Sequence, residues 1–386
     1  MSLRTRALLL GGVALSLLAA SCSSTATTTT ATPSASTPTS AASPGTAAPA
    51  ASTVVYPDPD WKTVDPASKQ IDPAAMKAFA DSVNSGASNC TLVLKDGEVV
   101  QEEYWNGTTK DTRQEIWSAT KSITSTLVGI AQDEGKLKID QRASDFITEW
   151  KGTPSESITI KNLLSNDSGR AWDFETDYYK MAAGAKDKSA FAAGLGQQFA
   201  PGEHWEYNNS AIQTLETVIE KATGQDMEAY AKAKLFGPTG MGTTITHDPS
   251  GNTLAFMGAQ ASCRDMARFG YLALHDGKWK DQQVVSSAWF DEATKTSQDL
   301  NVGYGYLWWV NGQGKLDSGM GVEAREGRAW PDLPADAYAA IGLGSQIVLV
   351  VPSRNLVMVR LGKNVQGDTV NSQAAILANM AKYMPA

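Results

Sequence analysis

Strand-forming patterns lie at both ends of the region from Tyr56 to Ala386, and helical patterns lie between them. Near the start, residues 90–94 alternate apolar and polar side chains, turn at Asp96-Gly97 and return through residues 99–104, which is a strong hairpin pattern. Further strand-like runs lie near the end and cover residues 305–310, 338–341, 346–351 and 356–361. Two chain ends that both form strands can pair into a single sheet, and this restricts the fold more than any other feature.

The middle of the chain, from Ser118 to about residue 300, is mostly helical in pattern. Ile123, Leu127 and Ile130 fall on one stripe of a helix that Gly135 ends. We therefore expect an α+β fold. An antiparallel sheet of N- and C-terminal strands would be flanked by helices, and a central, mainly helical lobe would span about residues 118–300. The cleft between sheet and lobe is the natural place for a site.

The N-terminal segment has the pattern that is typical of an export signal. Arg4 and Arg6 precede an apolar run at residues 7–20 that is too short to span a bilayer, so residues 1–21 are expected to be a signal peptide. The small residues before Cys22 resemble a bacterial lipobox, which implies cleavage there and a lipid on the Cys22 thiol. The protein would then be an exported cell-membrane lipoprotein. Plain secretion is the alternative.

Residues 22–55 form a Ser/Thr/Ala/Pro-rich linker that cannot bury enough surface to offset its ordering entropy. The folded domain is therefore expected at residues 56–386. The net charge of −8 does not suggest a nucleic-acid partner, so the membrane would be contacted only through the lipid anchor.

The cysteines and histidines give limited chemistry. With Cys22 lipidated, Cys90 and Cys263 remain in an oxidising compartment, where they form either a disulfide or two buried thiols. No metal site is predicted, because the histidines are scattered without ligand spacing. These histidines are His204, His247 and His275. No cofactor is expected either.

Ser118 and Lys121 are the first candidates for chemistry. Residues i and i+3 of a helix share a face, so a lysine there can accept a serine proton if some of its amine is neutral near pH 7. Lys121 is the only lysine in the chain with a serine three residues before it. The alternative is an ordinary N-cap serine beside a solvated lysine.

A second proton carrier is needed to protonate the leaving group. Tyr207, followed by Asn209, lies in a Pro-Gly-bounded loop before a helix and supplies a phenol. Tyr104-Trp105-Asn106 has the same spacing, but it closes the first hairpin, where an aromatic side chain belongs to the sheet.

The order of three motifs resembles the serine β-lactamase and penicillin-binding-protein family. The motifs are Ser-Ala-Thr-Lys at 118–121, Leu-Leu-Ser-Asn-Asp-Ser-Gly at 163–169 and Pro-Gly-Glu-His-Trp-Glu-Tyr-Asn-Asn at 201–209. The branch with class C β-lactamases, D-amino-acid-releasing peptidases, carboxylesterases and 6-aminohexanoate-dimer hydrolases is the most similar. The resemblance covers residues 73 to 383 and implies a β-lactamase/transpeptidase-like fold.

The resemblance also implies roles for individual residues. Ser118 would be the acylated nucleophile, Lys121 and Tyr207 would carry its proton, and Asn209 would support the site. The family's third motif, a Lys- or His-x-Gly, falls at residues 342–344. The backbone N–H groups of Ser118 and Ser345, next to Gly344, would form the oxyanion hole. Gly342 stands where the basic residue is expected, which favours an esterase or amidase over a β-lactamase.

Trp172, Asp173 and Tyr178 follow the Ser-Gly loop and would line the substrate pocket, or else cover the loop's own core.

The favoured function is a serine hydrolase acting through an acyl-enzyme on a small ester, amide or peptide-like substrate. One alternative is a β-lactamase or D,D-peptidase on peptidoglycan-like substrates. Another is a non-catalytic ligand-binding lipoprotein.

Overall fold

One antiparallel sheet joins the two ends of the domain in the computed structural model, which describes residues 54–84, 87–317, 323–363 and 372–386. The strands in chain order are β1 (Ser88–Lys95), β2 (Glu98–Tyr104), β3 (Gln114–Glu115), β4 (Thr244–Ile245), β5 (Ala259–Ala261), β6 (Lys278–Trp279), β7 (Gln282–Gln283), β8 (Trp309–Val310), β9 (Gln313–Leu316), β10 (Arg325–Arg328), β11 (Tyr338–Gly342), β12 (Gln346–Val351) and β13 (Leu356–Gly362). The main sheet has six strands in the order β2-β1-β13-β12-β11-β8. Leu92 of β1 lies opposite Val359 of β13, so the predicted pairing of the chain ends is confirmed.

Helices fill the space between the strands along the chain. They are α1 (Pro73–Val83), α2 (Thr120–Asp133), α3 (Ile160–Ser165), α4 (Lys188–Gly194), α5 (Asn209–Thr223), α6 (Met227–Ala231), α7 (Gly237–Thr239), α8 (Cys263–Leu274), α9 (Ser287–Ala293) and α10 (Gln373–Lys382). Two further segments, Glu175–Gly184 and Lys232–Phe236, are π-helical. The helices α2 to α9 all lie within the predicted lobe, so the expected α+β organisation is correct.

The sheet packs helices on both faces because side chains of a strand alternate between them. Val93 and Met358 face the layer of α1 and α10, where Phe79 is fully buried. Leu92 and Val359 face the opposite layer, which contains α8 and α2. The apolar stripe of α2 predicted a helix with one buried face. In the structure every residue from Thr120 to Ala131 is buried, so the polar faces of α2 are buried as well. Helix α2 therefore runs through the interior, beneath the sheet.

One local prediction fails. The strand expected at residues 305–310 is only Trp309–Val310, because Leu307 has φ 59° and its N–H donates to the carbonyl of Leu164 instead of to a strand. Beyond Val310, β9 and β10 pair as an antiparallel hairpin.

Cys90 and Cys263 are joined in a disulfide, with 6.4 Å between their Cα atoms. The bond ties β1 to the first residue of α8. The predicted signal peptide, Cys22 and nearly all of the linker lie outside the described residues. Within residues 54–386 as described, no helix combines the length and apolar character needed to cross a bilayer.

Candidate active site

Ser118 lies in the 3-10 turn Trp117–Ala119, directly before α2. The residue at the N-cap of α2 is Ala119, and no side chain caps the helix. The serine hydroxyl is therefore not used as a cap. Instead, Ser118 Oγ accepts a hydrogen bond from Lys121 Nζ over 2.9 Å. Trp117 has φ 50°, a left-handed conformation of the kind that is often found beside functional residues.

Lys121 is buried, with 1% of its surface exposed. Besides Ser118, its amine donates to Asn209 Oδ1 over 2.7 Å and to the carbonyl of Phe256 over 2.9 Å. Burial lowers the pKa of Lys121 to about 7, while the carboxylate of Asp177 acts in the opposite direction. A large share of Lys121 is therefore neutral near pH 7, as a proton acceptor must be.

Tyr207 covers the amine of Lys121. Its ring centroid is 4.8 Å from Lys121 Nζ, and its ring stacks on Trp309 with 5.7 Å between centroids. Loss of solvation raises the pKa of Tyr207, and its hydrogen bond with Ser118 lowers that pKa by less. The phenol thus stays protonated at neutral pH and can donate a proton or hydrogen bond beside Ser118.

Asn209 is the first residue of α5 and links three parts of the site. Its Oδ1 accepts from Lys121, while its Nδ2 donates to Asp177 Oδ2 over 2.8 Å. The phenol of Tyr178 also hydrogen-bonds to Asn209, which lowers the pKa of Tyr178 against the larger effect of burial. The amide therefore holds the lysine in place from the N-terminus of α5.

Asp177 was not predicted from the sequence. It is 1% exposed and accepts four hydrogen bonds at the start of α5. Its donors are the backbone N–H and Nδ2 of Asn209 and the backbone N–H and Oγ of Ser210, at 2.6–3.2 Å. The carboxylate lies where the helix dipole favours a negative charge. No sequence pattern marks it, because its partners are 32 residues or more away.

Gly342, at the end of β11, packs against the turn that carries Ser118. A Cβ at this position would lie 2.1 Å from the carbonyl oxygen of Ile116 and 3.1 Å from the nitrogen of Ala119. No side chain fits there, so a lysine could not stand at 342 without moving the strand. Counting the basic-x-Gly pattern back from Gly342 leads to Ala340, which is also uncharged. In either register the strand carries no cation.

The end of β11 also bears on the expected oxyanion hole. Asn311 N–H donates to the carbonyl of Ala337, and N–H groups along a strand alternate between its two edges. β11 ends at Gly342, and the same alternation continued by one residue places the N–H of Leu343 at the open edge of β11. Leu343 and Ser345 both line the cleft with Ser118, and the carbonyl of Ser345, which has φ 57°, accepts from Arg360 over 3.0 Å. Leu343 is therefore a candidate for the second donor beside the predicted Ser345.

A family model described as Beta-lactamase matches residues 75–379. The chain belongs to the Beta-lactamase family. The 6-aminohexanoate-dimer hydrolase of Paenarthrobacter ureafaciens is 26% identical over 280 residues, which cover 64% of this chain and 70% of that protein. The D-aminopeptidase of Brucella anthropi is 26% identical over 190 residues, or 44% of this chain and 35% of that protein. Both relatives carry the names of hydrolytic enzymes, a dimer hydrolase and an aminopeptidase.

Two solved structures of other proteins share the fold. A putative 6-aminohexanoate-dimer hydrolase from Bacillus anthracis aligns with a TM-score of 0.65 at 20% identity, covering 79% of each chain. A penicillin-binding-protein homologue from Caulobacter crescentus aligns with a TM-score of 0.62 at 16% identity, covering 81% of this chain and 96% of the other. The predicted family and fold are thus confirmed.

The three residues predicted to line the substrate pocket of this Beta-lactamase family protein do not lie in one pocket. Tyr178 lines the cleft in front of Ser118. Trp172 lines a different cavity of about 350 Å³, and Asp173 is exposed, where its carboxylate accepts from the N–H of Thr176. Trp309 and Phe256, which were not among the predicted site residues, also line the cleft.

One group of potential metal ligands was not anticipated from spacing. Single ligand atoms of Asp226, Glu228 and His247 lie within 4.8 Å of one another. Each already has partners: Asp226 accepts from Thr253 and pairs with His247, and Glu228 pairs with Lys232. None of these residues lines the cleft, and they play no part in the chemistry considered below.

Proposed function

We propose that this protein is a serine hydrolase that forms an acyl-enzyme on Ser118 and cleaves a small ester or amide. One observation carries the proposal: the buried amine of Lys121, 2.9 Å from Ser118 Oγ. An amine that burial keeps partly neutral can take the serine proton without a histidine. The named hydrolases and peptidases among the relatives support the same class of reaction.

In the acylation step, Lys121 accepts the proton of Ser118 while Oγ bonds to the substrate carbonyl carbon. The carbonyl oxygen becomes an oxyanion, for which the N–H groups of Ser118 and Leu343 are the proposed donors. When the tetrahedral intermediate collapses, the bond to the leaving group breaks. The leaving oxygen or nitrogen takes a proton through Tyr207, and that proton is replaced from Lys121.

Deacylation follows the same route with water as the nucleophile. A water molecule gives its proton to the Tyr207–Lys121 pair and bonds to the acyl carbon, and the ester bond to Ser118 breaks. Oγ then recovers its proton and the acid product leaves. The residues return to their starting protonation states, so no cofactor is required for this scheme.

Labelling of Ser118 tests the proposal directly. The purified domain, residues 56–386, should react with a fluorophosphonate probe at a 1:1 ratio, and peptide mass spectrometry should locate the adduct on Ser118. Ser118→Ala should abolish it. Ser125→Ala is a matched control, because Ser125 is a buried serine of α2 whose Oγ has no hydrogen-bond partner within the described residues. Full labelling of Ser118→Ala would place the reactive nucleophile elsewhere, and no labelling of the wild type would favour a non-catalytic ligand-binding protein. Either result would overturn the proposal.

The main alternative is hydrolysis of β-lactams or peptidoglycan-like peptides, whose substrates carry a carboxylate. The strand beside Ser118 offers no cation to bind it, since Ala340 and Gly342 are uncharged. We therefore expect nitrocefin to acylate Ser118 slowly or not at all. Rapid nitrocefin turnover would favour this alternative.

We further propose that the protein is exported and held at the membrane by a lipid on Cys22. Arg4, Arg6 and the apolar run that follows support export, and the small residues before Cys22 support lipidation. Cys22→Ser should move the protein from the membrane fraction to the soluble fraction. An unchanged distribution would favour another form of attachment or plain secretion.

A further inference from the structure

The cleft in front of Ser118 has a mainly apolar wall. It encloses about 720 Å³, a size that accommodates a small organic substrate. Its apolar lining comes from several separate segments: Trp117, Ala182, Ala183, Phe256, Met257, Trp309, Ile341 and Leu343. Its polar lining is uncharged and consists of Ser118, Tyr178, Tyr207, Asn209, Ser345 and Gln373. Among the described residues, no charged side chain lines this cleft.

The two buried ionisable groups near the cleft, Lys121 and Asp177, already have internal hydrogen-bond partners. A protonated lysine has three N–H bonds to give, and Lys121 donates to Ser118, Asn209 and the carbonyl of Phe256. Asp177 accepts four hydrogen bonds from Asn209 and Ser210. Neither group can pair with a charged substrate without losing an internal partner.

On the Tyr178 side, apolar surface extends past the cleft. Phe174 stacks on Tyr178 with 4.7 Å between ring centroids, and Phe174 is 50% exposed. Leu343, which lines the cleft itself, is 51% exposed. An acyl chain that extended past Tyr178 would therefore meet the exposed ring of Phe174.

We infer that the substrate is an electrically neutral ester or amide with an apolar acyl group, and that the cleft selects against a carboxylate on that group. This rests on the proposed function, since the acyl group is the one transferred to Ser118. A carboxylate in the cleft would lose its hydration and meet no cation among the lining residues. An apolar chain of the same length would gain from contact with the wall.

A pair of length-matched esters tests the inference. p-Nitrophenyl hexanoate and the p-nitrophenyl monoester of adipic acid both have six-carbon acyl groups and differ by a terminal carboxylate. We expect kcat/KM, corrected for spontaneous hydrolysis, to be at least about tenfold higher for hexanoate. In the series acetate, butyrate and hexanoate, kcat/KM should rise up to about fourfold for each added methylene.

A charge-introducing variant sharpens the test. Ala183 lines the cleft and is exposed, so a long side chain there need not disturb the core. Ala183→Lys should raise the adipate-to-hexanoate ratio of kcat/KM at least about fivefold over Ala183→Gln, which has similar polarity and no charge. Equal ratios in the two variants would contradict the inference that the acyl group binds along this wall of the cleft.

Fluorophosphonate labelling of the same preparations distinguishes a failure of the proposed function from a failure of the inferred substrate preference. Enzyme that labels on Ser118 but hydrolyses both six-carbon esters within twofold of each other overturns the inference alone. Enzyme that neither labels nor hydrolyses any of the esters overturns the proposed function and, with it, the inference.

Discussion

The amine of Lys121 donates a hydrogen bond to Oδ1 of Asn209 over 2.7 Å, joining the first turn of α2 to the first residue of α5. The two residues are 88 positions apart in sequence. Asn209 is in turn held by Asp177, so a chain of hydrogen bonds runs from the half-buried Ser118 through the buried Lys121 and Asn209 to Asp177. The amine of Lys121 is therefore held in position by Asn209 as well as by Ser118.

Lys121→Arg keeps a cation at the site but removes the proton acceptor. A guanidinium does not lose its proton in proteins, so it cannot take that of Ser118. We expect kcat/KM for a neutral ester to fall about 10²- to 10⁴-fold, the range for loss of a general base. Steady-state kinetics measure this, with circular dichroism as the control for folding. A folded variant with activity near that of the wild type would show that Lys121 is not the base.

The acylation rate should depend on pH through Lys121. Its pKa is about 7, and the neutral amine is the active form. Below pH 7 the fraction of neutral Lys121 falls about tenfold for each pH unit, so kcat/KM should fall by the same factor. Above pH 7 kcat/KM should become constant, because Lys121 is then mostly neutral. A profile of kcat/KM from pH 5 to pH 9 checks this. An activity that is constant from pH 5 to pH 8 would contradict it.

Asp177→Asn removes a charge while keeping the size of the side chain. An amide cannot accept all four of the hydrogen bonds that the carboxylate receives, so the free energy of unfolding should drop by about 1–3 kcal/mol. Because the charge of Asp177 raises the pKa of Lys121, the acid limb of the pH profile should move to lower pH.

Denaturant unfolding and the pH profile of kcat/KM together test this role of Asp177. Asp173→Asn is the matched control, since Asp173 is an exposed carboxylate four residues earlier that accepts from the N–H of Thr176 in the same helical segment. If the acid limb of the kcat/KM profile lies at the same pH in Asp177→Asn as in the wild type, Asp177 has only a structural role.

Gly342→Ala should damage the site through a steric clash. The added methyl would lie 2.1 Å from the carbonyl oxygen of Ile116, so β11 and the turn carrying Ser118 must move apart. We expect a loss of about 1–3 kcal/mol in stability and a lower kcat, measured by denaturant unfolding and ester hydrolysis. Gly194→Ala, where a Cβ meets no atom within 4 Å, is the control. Equal behaviour of the two variants would be inconsistent with close packing at position 342.

The disulfide between Cys90 and Cys263 closes a loop with a sequence separation of 173. Replacing both cysteines by alanine should lower the free energy of unfolding by about 2–5 kcal/mol, since the unfolded chain gains freedom. The bond joins β1 to α8 and neither cysteine lines the cleft, so the folded variant should still react with a fluorophosphonate. Unchanged unfolding curves with and without reducing agent would mean that the bond does not form.

Much of the fold could be predicted from short-range patterns. The hairpin around Asp96-Gly97, the stripe of α2 and the C-terminal strand runs each depend on side chains close in sequence. The strand predicted at 305–310 failed because the backbone at Leu307 is set by a partner at Leu164, far away along the chain. Local periodicity contains no information on such a contact.

The sequence alone also determined which residue types could perform the chemistry. Ser118 and Lys121 share a helical face by spacing, and Tyr207 and Asn209 follow in a loop before a helix. Only the tertiary structure decided that Lys121 is buried and hydrogen-bonded to Asn209, and that Asp177 stands behind both. It alone also gave the cleft its apolar walls and left position 342 without room for a side chain. The physical reason is that desolvation, charge pairing and steric fit depend on neighbours in space, whereas a sequence shows only neighbours along the chain.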